Sequence, residues 1–318
     1  MADCNAWDMS RAVAWLLALA VLCWTLVRLL GLDRGWPLVP LVAFTPYVAL
    51  AGVLATVLIA ALRRWAAAGV AGVCVVVLVA LVAPRGLADG APSGADSVAL
   101  RVLTANLQAG DGAIPELIEI VRRERVDVLS VQELTLVGAR ALEAVAPKLP
   151  ERALQVREGS RGTGLYARVP LRPLPPARGT FFAMAAAEAR PPGTPPVQLV
   201  AVHARAPVRG PDIVVWRRDL RALPRARPRG ALRVLAGDFN ATLDHRELRR
   251  LIGSGYRDAA AAAGQGLRTT WPAGRRLPPG LAIDHVLADR RAAVRSARVV
   301  SLPGTDHRAV LTELRLPG

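Results

Sequence analysis

Residues 232–242 read LRVLAGDFNAT, an apolar run that stops abruptly at Gly237, Asp238 and Asn240. Branched aliphatics bounded by a turn signal mark a buried strand. An ionisable group at its end marks the place where a rigid scaffold delivers a side chain into a cleft. A carboxylate within the core would instead need partners to offset its desolvation. The same arrangement recurs along the chain. VALRVLTAN (98–106) ends on Asn106, VDVLSVQE (126–133) ends on Glu133, and VQLVAVHARA (197–206) carries His203. LAIDHVLAD (281–289) carries Asp284, and PGTDHRAV (303–310) sets Asp306 beside His307 at the mouth of RAVLTELRL.

Between these runs the spacing predicts an amphipathic helix over 114–125, with Ile114, Leu117, Ile118 and Val121 on one face, and an Arg-rich helix around 212–223. TGLYAR (163–168), TFFAMAAAEAR (180–190) and ARVVSL read as further strands. Alternating strands and helices indicate an α/β domain over 98–318. That length exceeds the usual domain of about 100–150 residues, but a two-sheet sandwich can hold it around one core.

Six strand ends thus supply four carboxylates, Glu133, Asp238, Asp284 and Asp306, and two imidazoles, His203 and His307, with Asn106 and Asn240 among them. Four acids converging without a cation would repel one another. Oxygen donors suit a hard cation, Mg²⁺ or Mn²⁺, and the scarcity of His and absence of Cys argue against structural zinc.

The first third has a different composition. The chain is 53% hydrophobic with a mean hydropathy of +0.31, yet 21% of its residues are charged, so the apolar excess must be localised. It lies in 12–30, 38–62 and 66–83, each of a length that crosses a bilayer core, about 17–25 residues. Three transmembrane helices are therefore expected within a 1–83 anchor, with Arg28 snorkelling from one end. A signal peptide is a poorer reading of the first span, whose apolar core exceeds the roughly 7–15 residues such peptides carry. A Pro/Gly/Ser/Asp linker, 84–97, would lead into the domain. Arg11, Arg63 and Arg64 favour one orientation, and Arg28, Arg34 and Arg85 the other. The paired Arg63-Arg64 and the acid Asp33 beside Arg34 tip the expectation toward a multi-pass membrane protein with an extracytoplasmic domain.

Cys4, Cys23 and Cys74 all precede the linker, so residues 98–318 have no disulfide or thiol chemistry. They do hold 35 of the basic residues and 20 of the acidic ones, a net +15. Such a surplus draws polyanions: nucleic acid, anionic headgroups or phosphorylated substrates. Every basic residue except Lys148 is Arg, which reads as a broad compositional bias, and the Arg217–Arg233 cluster reads as a solvated helix and loop. With seven aromatics in 98–318, a base-stacking surface is weakly supported.

LTANLQAG around Asn106, VLSVQEL around Glu133, VAVHA around His203, GDFNAT (237–242), IDHVL (283–287) and TDHRAV (305–310) resemble, in that order, the motifs of the endonuclease/exonuclease/phosphatase superfamily. With the three preceding spans, GDFNATLDH, TTWP and PGTDHRAVLTEL look more narrowly like its membrane-anchored VanJ-type branch, associated with teicoplanin resistance. The resemblance implies an α/β four-layer sandwich, two packed mixed sheets flanked by helices, and metal-dependent hydrolysis of phosphoester or phosphoanhydride bonds. It implies Glu133 as principal metal ligand, with Asn106 and Asp306 on the metal side. Asp238 would deprotonate the attacking water, Asn240 and His203 would bind phosphoryl oxygens, and Asp284 would orient a charged His307. Gln108 stands where some nucleases of the family have an acid that joins the metal shell, so it would be a weaker, neutral ligand. His245 and His285 read as turn or packing histidines. Trp271 could wall the pocket or pack the core.

The implied substrate is a lipid phosphate at the membrane face, polyprenyl or phospholipid, with nucleic acid as a variant. A membrane-tethered nuclease or a non-catalytic binding module are the alternatives, and no obligate protein partner is evident.

Overall fold

The computed structural model describes residues 2–90, 97–274 and 279–318. The chain divides into two compact units, Met1–Pro84 with Asp244–Arg246, and Arg85–Leu243 with Glu247–Gly318.

The first unit is helical: α1 (Ala2–Leu30), α2 (Leu38–Val42), α3 (Thr45–Ala61) and α4 (Trp65–Val82). Among the described residues, two stretches are long and apolar enough to cross a membrane, Met9–Leu30 and Trp65–Gly86. The expected middle span is not one helix. Ala43 and Phe44 separate α2 from α3, and a proline opens the first turn of α3. Without an N–H, proline suits a helix start and cannot continue a ladder from the previous turn. The 17 residues that remain in α3 form a shorter apolar helix, rising about 25 Å, at the lower limit of a span. Arg28 does not snorkel: it is 5% exposed, and its Nε donates to Asp244 Oδ1 at 2.6 Å. His245, also buried, places Nε2 3.0 Å from the Val39 carbonyl.

The second unit is built from alternation. In β1 (Val98–Asn106), Leu100 and Val102 enter one apolar cluster while Leu103 and Ala105 enter another. The first cluster lies between two sheets, and the second lies under α5 (Ile114–Arg123). The elements that follow are β2 (Val128–Gln132), α6 (Leu136–Ala141), β3 (Glu151–Gln155), β4 (Thr163–Ala167), β5 (Leu171–Leu174), β6 (Ala186–Ala189) and β7 (Val197–His203). Then come α7 (Gly210–Ala222), β8 (Leu232–Asp238), α8 (Arg246–Ile252), β9 (Tyr256–Asp258), α9 (Ala259–Ala262), β10 (Asp284–Asp289), β11 (Ala293–Val300) and β12 (Ala309–Leu316).

One sheet runs β11-β12-β1-β2-β4-β3 and the other β5-β6-β7-β8-β10-β9. Both are mixed: β1–β2 and β7–β8 are parallel, and the remaining pairs are antiparallel. Leu100, Val102, Val128 and Leu165 of the first sheet meet Leu199, Val234, Ala236 and Val286 of the second. At one end this core turns polar. The Ser130 hydroxyl crosses to the Ala236 carbonyl at 2.8 Å, Gln132 Nε2 donates to Ser130 Oγ, and Thr104 Oγ1 donates to Gln132 Oε1.

The strand expected over 180–190 contracts to β6. Ahead of it, Thr163 Oγ1 donates to the Ala183 carbonyl and accepts from the Ala185 N–H, occupying groups that a ladder would use. Of the expected linker, residues 91–96 lie outside the described residues. Before them, Ala88 bridges Ala263 within the second unit.

Candidate active site

The strand ends gather at the polar end of the sandwich. Register places His203 of β7 opposite Asp238 of β8, and Asp238 opposite Asp284 of β10. In the other sheet Asn106 pairs with Gln132, one residue before Glu133. Asn106 joins the two sheets: its Nδ2 donates to Glu133 Oε1 at 3.2 Å and to Asp238 Oδ2 at 3.1 Å. The backbone bends sharply here. Gln108, Ala109, Glu133 and Asn240 have φ between +46° and +58°, the left-handed region that costs non-glycine residues energy and clusters at functional sites. Two motif glycines are equally constrained. A Cβ on Gly237 would lie 1.9 Å from the Val202 carbonyl oxygen, and one on Gly304 would lie 2.3 Å from the Gly112 carbonyl carbon.

Asp238 is 2% exposed and held by its own loop: the Asn240 N–H donates to Oδ1 at 2.8 Å and Asn240 Nδ2 to Oδ2 at 3.2 Å. His307 Nδ1 lies 2.9 Å from Asp284 Oδ2, and its Nε2 is 3.9 Å from both Asp238 Oδ2 and Asp306 Oδ1. His203 Nε2 looks into the same space, 3.8 Å from Glu133 Oε1 and 3.9 Å from Asp238 Oδ2. These gaps exceed hydrogen-bond length and leave room for a small group among three carboxylates and two imidazoles. Among the described residues, His203 Nδ1 and Asp284 Oδ1 are buried without a hydrogen-bond partner.

The endonuclease/exonuclease/phosphatase family model matches residues 103–307, a span that contains every one of these side chains. The chain belongs to that family. No curated protein matches it. Among solved structures, an endonuclease/exonuclease/phosphatase from Beutenbergia cavernae is similar at TM-score 0.55 and 22% identity, over 69% of this chain and 72% of that one. A humanized D. rerio TDP2 gives TM-score 0.54 at 16% identity, over 68% and 98%. The Bacteroides vulgatus protein of the same name gives 0.54 at 15%, over 69% and 100%. At these identities the likeness shows the fold: two packed mixed sheets flanked by helices.

Electrostatics divide the family's residues into distinct protonation states. Burial would lower the His307 pKa, but Asp284, then Asp238 and Asp306, outweigh it and push it up to about 10. Burial and the nearby His307 push His203 down to about 3, so it is neutral at pH 7. Asp238 rises to about 7, through burial first and Asp284 second, with His307 opposing. Glu133 is raised by burial, against its hydrogen bond from Asn106.

Asp238, Asp284 and His307 bring ligand atoms within 4.8 Å of one another. An imidazolium holding Asp284 through Nδ1 has no lone pair to offer a cation. His307 and Asp284 are therefore a hydrogen-bonded acid–base pair, with Asp238 facing the free Nε2 across 3.9 Å. Glu133 and Asp306 are the more open carboxylates, 18% and 30% exposed at the side chain.

Gln108 is held by two local hydrogen bonds. Its N–H donates to Asn106 Oδ1, and its Oε1 accepts the Asp306 N–H at 3.0 Å, so the amide ties two loops together. Trp271 does so too, with Nε1 donating to Asp306 Oδ2 at 2.9 Å. His285 is a buried junction: Nδ1 lies 2.8 Å from Asp258 Oδ2 and Nε2 2.8 Å from the Ala241 carbonyl. Thr270 escapes sequence reasoning altogether, yet its hydroxyl accepts from both the Ile283 and Asp284 N–H groups. The TT of TTWP was its only signal.

Proposed function

We propose that this protein is a membrane-anchored, metal-dependent phosphohydrolase of the VanJ-type branch. It would act on a polyprenyl or phospholipid phosphate in the cell envelope and contribute to teicoplanin-type resistance. The observation that carries the hydrolytic part is the convergence of Asp238, Asn240, His307, Asp284, Asn106 and Glu133 around one gap, with a base and an imidazolium facing it.

Asp238 takes the proton of the attacking water. A carboxylate whose pKa sits near 7 is close to the optimum for general base work at neutral pH. Asn240 fixes the orientation of that carboxylate through two hydrogen bonds. His307, held charged by Asp284, donates from Nε2 to a phosphoryl oxygen as negative charge develops there. His203 is neutral, and its Nε2 contributes a hydrogen bond to the same group without competing for a proton.

The donor set fits a hard divalent cation: Glu133 and Asp306 supply open carboxylate oxygens, and Asn106 holds Glu133 in place. Mg²⁺ or Mn²⁺ there would neutralise phosphoryl charge.

The lipid assignment rests on the two membrane-length helices, which would hold the domain, on the extracytoplasmic side, next to headgroups. The net +15 of residues 98–318 favours any phosphorylated anion and leaves a nuclease as the second reading. A D. rerio TDP2 structure of this fold is described as complexed with a single strand DNA product. The test is hydrolysis by the full-length protein in detergent with Mg²⁺, read as inorganic phosphate from undecaprenyl phosphates and nucleotides and as released cleavage products from phospholipids and DNA. Asp238→Asn should abolish release from the preferred substrate with unchanged folding; undiminished release overturns the mechanism, and preference for DNA overturns the lipid assignment.

A further inference from the structure

Two side chains of α7 reach the loops that carry the site. Trp216 Nε1 donates to the Phe239 carbonyl at 3.2 Å, between Asp238 and Asn240. Asp219, fully buried, accepts the Phe181 N–H at Oδ1, 2.8 Å away, and the Arg205 N–H at Oδ2, 3.0 Å away. Residues three apart lie on one helix face, so a single surface of α7 meets both sets of loops. The two segments that Asp219 joins flank His203. Arg205 follows it by two residues, and Ala204, between them, gives its N–H to the Asp238 carbonyl and accepts Asn240 Nδ2 at its own. On the other side, the Phe182 ring stacks on the His203 imidazole, centroids 4.3 Å apart and planes 9° from parallel.

Phe182 lies in the stretch before β6, outside any strand, so no ladder places it. Its segment is held by Asp219 at the Phe181 N–H, by the Thr180 hydroxyl at the Phe182 carbonyl and by the Arg161 carbonyl at the Ala183 N–H. The orientation of a functional histidine is commonly set by a hydrogen bond at the ring nitrogen that faces away from the reaction. His307 has Asp284 for this. His203 has no such group: among the described residues Nδ1 is buried without a hydrogen-bond partner, and the Ser160 backbone is the least of the influences on the ring. A stacked aromatic face supplies the missing constraint, because ring pairs attract in preferred geometries. With its plane set by Phe182, the imidazole keeps Nε2 3.8 Å from Glu133 Oε1 and 3.9 Å from Asp238 Oδ2. Burying the Asp219 carboxylate is unfavourable, and burial raises its pKa against the two hydrogen bonds it accepts. What the carboxylate secures is the registration of the two segments on either side of His203.

We infer that Asp219 and Phe182 are positioning residues for His203. Asp219 locks the Phe181 segment to the exit of β7, and Phe182, held there, fixes the imidazole plane that aims Nε2 into the gap. The contribution to turnover rests on the phosphohydrolase reading; the placement of the ring does not.

The test uses the full-length protein in detergent with Mg²⁺, its histidines labelled in the imidazole ring for NMR. The chain has 4 histidines, and the His203 signals are those lost in His203→Gln. Asp219→Asn offers one acceptor and one donor where two acceptors are needed, so one N–H loses its partner. Phe182→Leu removes the ring and keeps an apolar side chain. In both variants the His203 ring protons should leave the shielded position over an aromatic face, while those of His245 and His285 stay. On whichever of undecaprenyl phosphate, phospholipid or DNA the wild type hydrolyses, kcat should fall by about tenfold to a hundredfold, the scale of a misplacement of about 1 Å, with a smaller change in KM. In a His203→Gln background neither substitution should lower kcat further, since both act through that ring. Unmoved His203 signals, displaced signals with unchanged kcat, or an equal loss of kcat in the His203→Gln background would each overturn the inference. If Asp219→Asn does not fold, Phe182→Leu decides by the same signals and the same background. Were the wild type to hydrolyse none of these substrates, the phosphohydrolase reading would fall, and displaced His203 signals would still establish the clamp.

Discussion

His307 lies in the loop before β12 of one sheet and Asp284 opens β10 of the other, yet Nδ1 and Oδ2 meet at 2.9 Å with both side chains buried. Thr270 fixes the Asp284 end by accepting its N–H, and Thr305 fixes the other by accepting the His307 N–H at 3.2 Å. The pair orients Nε2 toward Asp238 and keeps the ring charged. Asp284→Asn should lower kcat by about 10²–10⁴-fold, the range for losing a positioned acid–base group, with a smaller change in KM. Steady-state kinetics on the preferred phosphate substrate checks this, and a loss confined to KM would contradict the assignment.

The pH profile should be bell-shaped. Asp238 must be ionised to accept a proton, so kcat/KM should rise with pH through its raised pKa of about 7. His307 must be charged to donate, so activity should fall as pH passes about 10. His307→Gln should lose the alkaline limb and keep the acid one. A profile with no rise between pH 5 and 9 would show that Asp238 does not control the reaction, and one with no fall above pH 9 that His307 does not.

His285 should matter for stability. A carboxylate and a carbonyl are both acceptors, so a ring bonded to Asp258 and Ala241 at 2.8 Å on each side donates from both nitrogens and is charged. Burial opposes that charge, but Asp258 raises the pKa above the usual 6.5. A pKa raised on folding adds stability that is complete below pH 6.5 and lost as pH climbs through the folded value. His285→Leu leaves Asp258 buried without its cation and should cost about 3–5 kcal/mol near pH 6. The gap between wild type and variant in thermal unfolding should narrow on raising the pH; a gap that widens would mean a neutral ring.

Strand ends were legible in the sequence because apolar runs closed by Asp, Asn, Glu or His have a physical meaning that survives without context. Asn106, Glu133, His203, Asp238, Asp284 and His307 were found on that basis. Edge strands were less legible. β5 is LRPL, four residues with a proline, and β3 is ERALQ, with one fully buried position. Neither carries enough period-2 signal to register, since each borrows its order from a neighbour. The expected middle span failed for a related reason: its hydropathy was sufficient, but prolines decided where the helix began. The supporting groups, Thr270, Gln108, Phe182 and Asp219, were invisible because their roles arise only when distant loops meet.

Gln108 offers the sharpest test of how the cation side is built. Its Oε1 holds the Asp306 N–H at 3.0 Å, while Trp271 holds the Asp306 carboxylate from the opposite side at 2.9 Å. Gln108→Ala removes one of these supports and leaves the Asp306 N–H without its acceptor, so more Mg²⁺ should be needed for half-maximal activity. Gln108→Glu keeps an acceptor at the same place and adds a negative charge. Fully screened at the dielectric of water, one such charge about 8 Å from a divalent cation is worth roughly 1 kcal/mol, about fivefold in affinity. Half-maximal Mg²⁺ should therefore fall by about that factor in Gln108→Glu. Opposite shifts in the two variants, read by metal titration of activity and by Mn²⁺ binding without substrate, distinguish support of a cation site from a purely structural amide. If both variants weaken Mn²⁺ binding alike, Gln108 only braces the loop and the cation lies elsewhere.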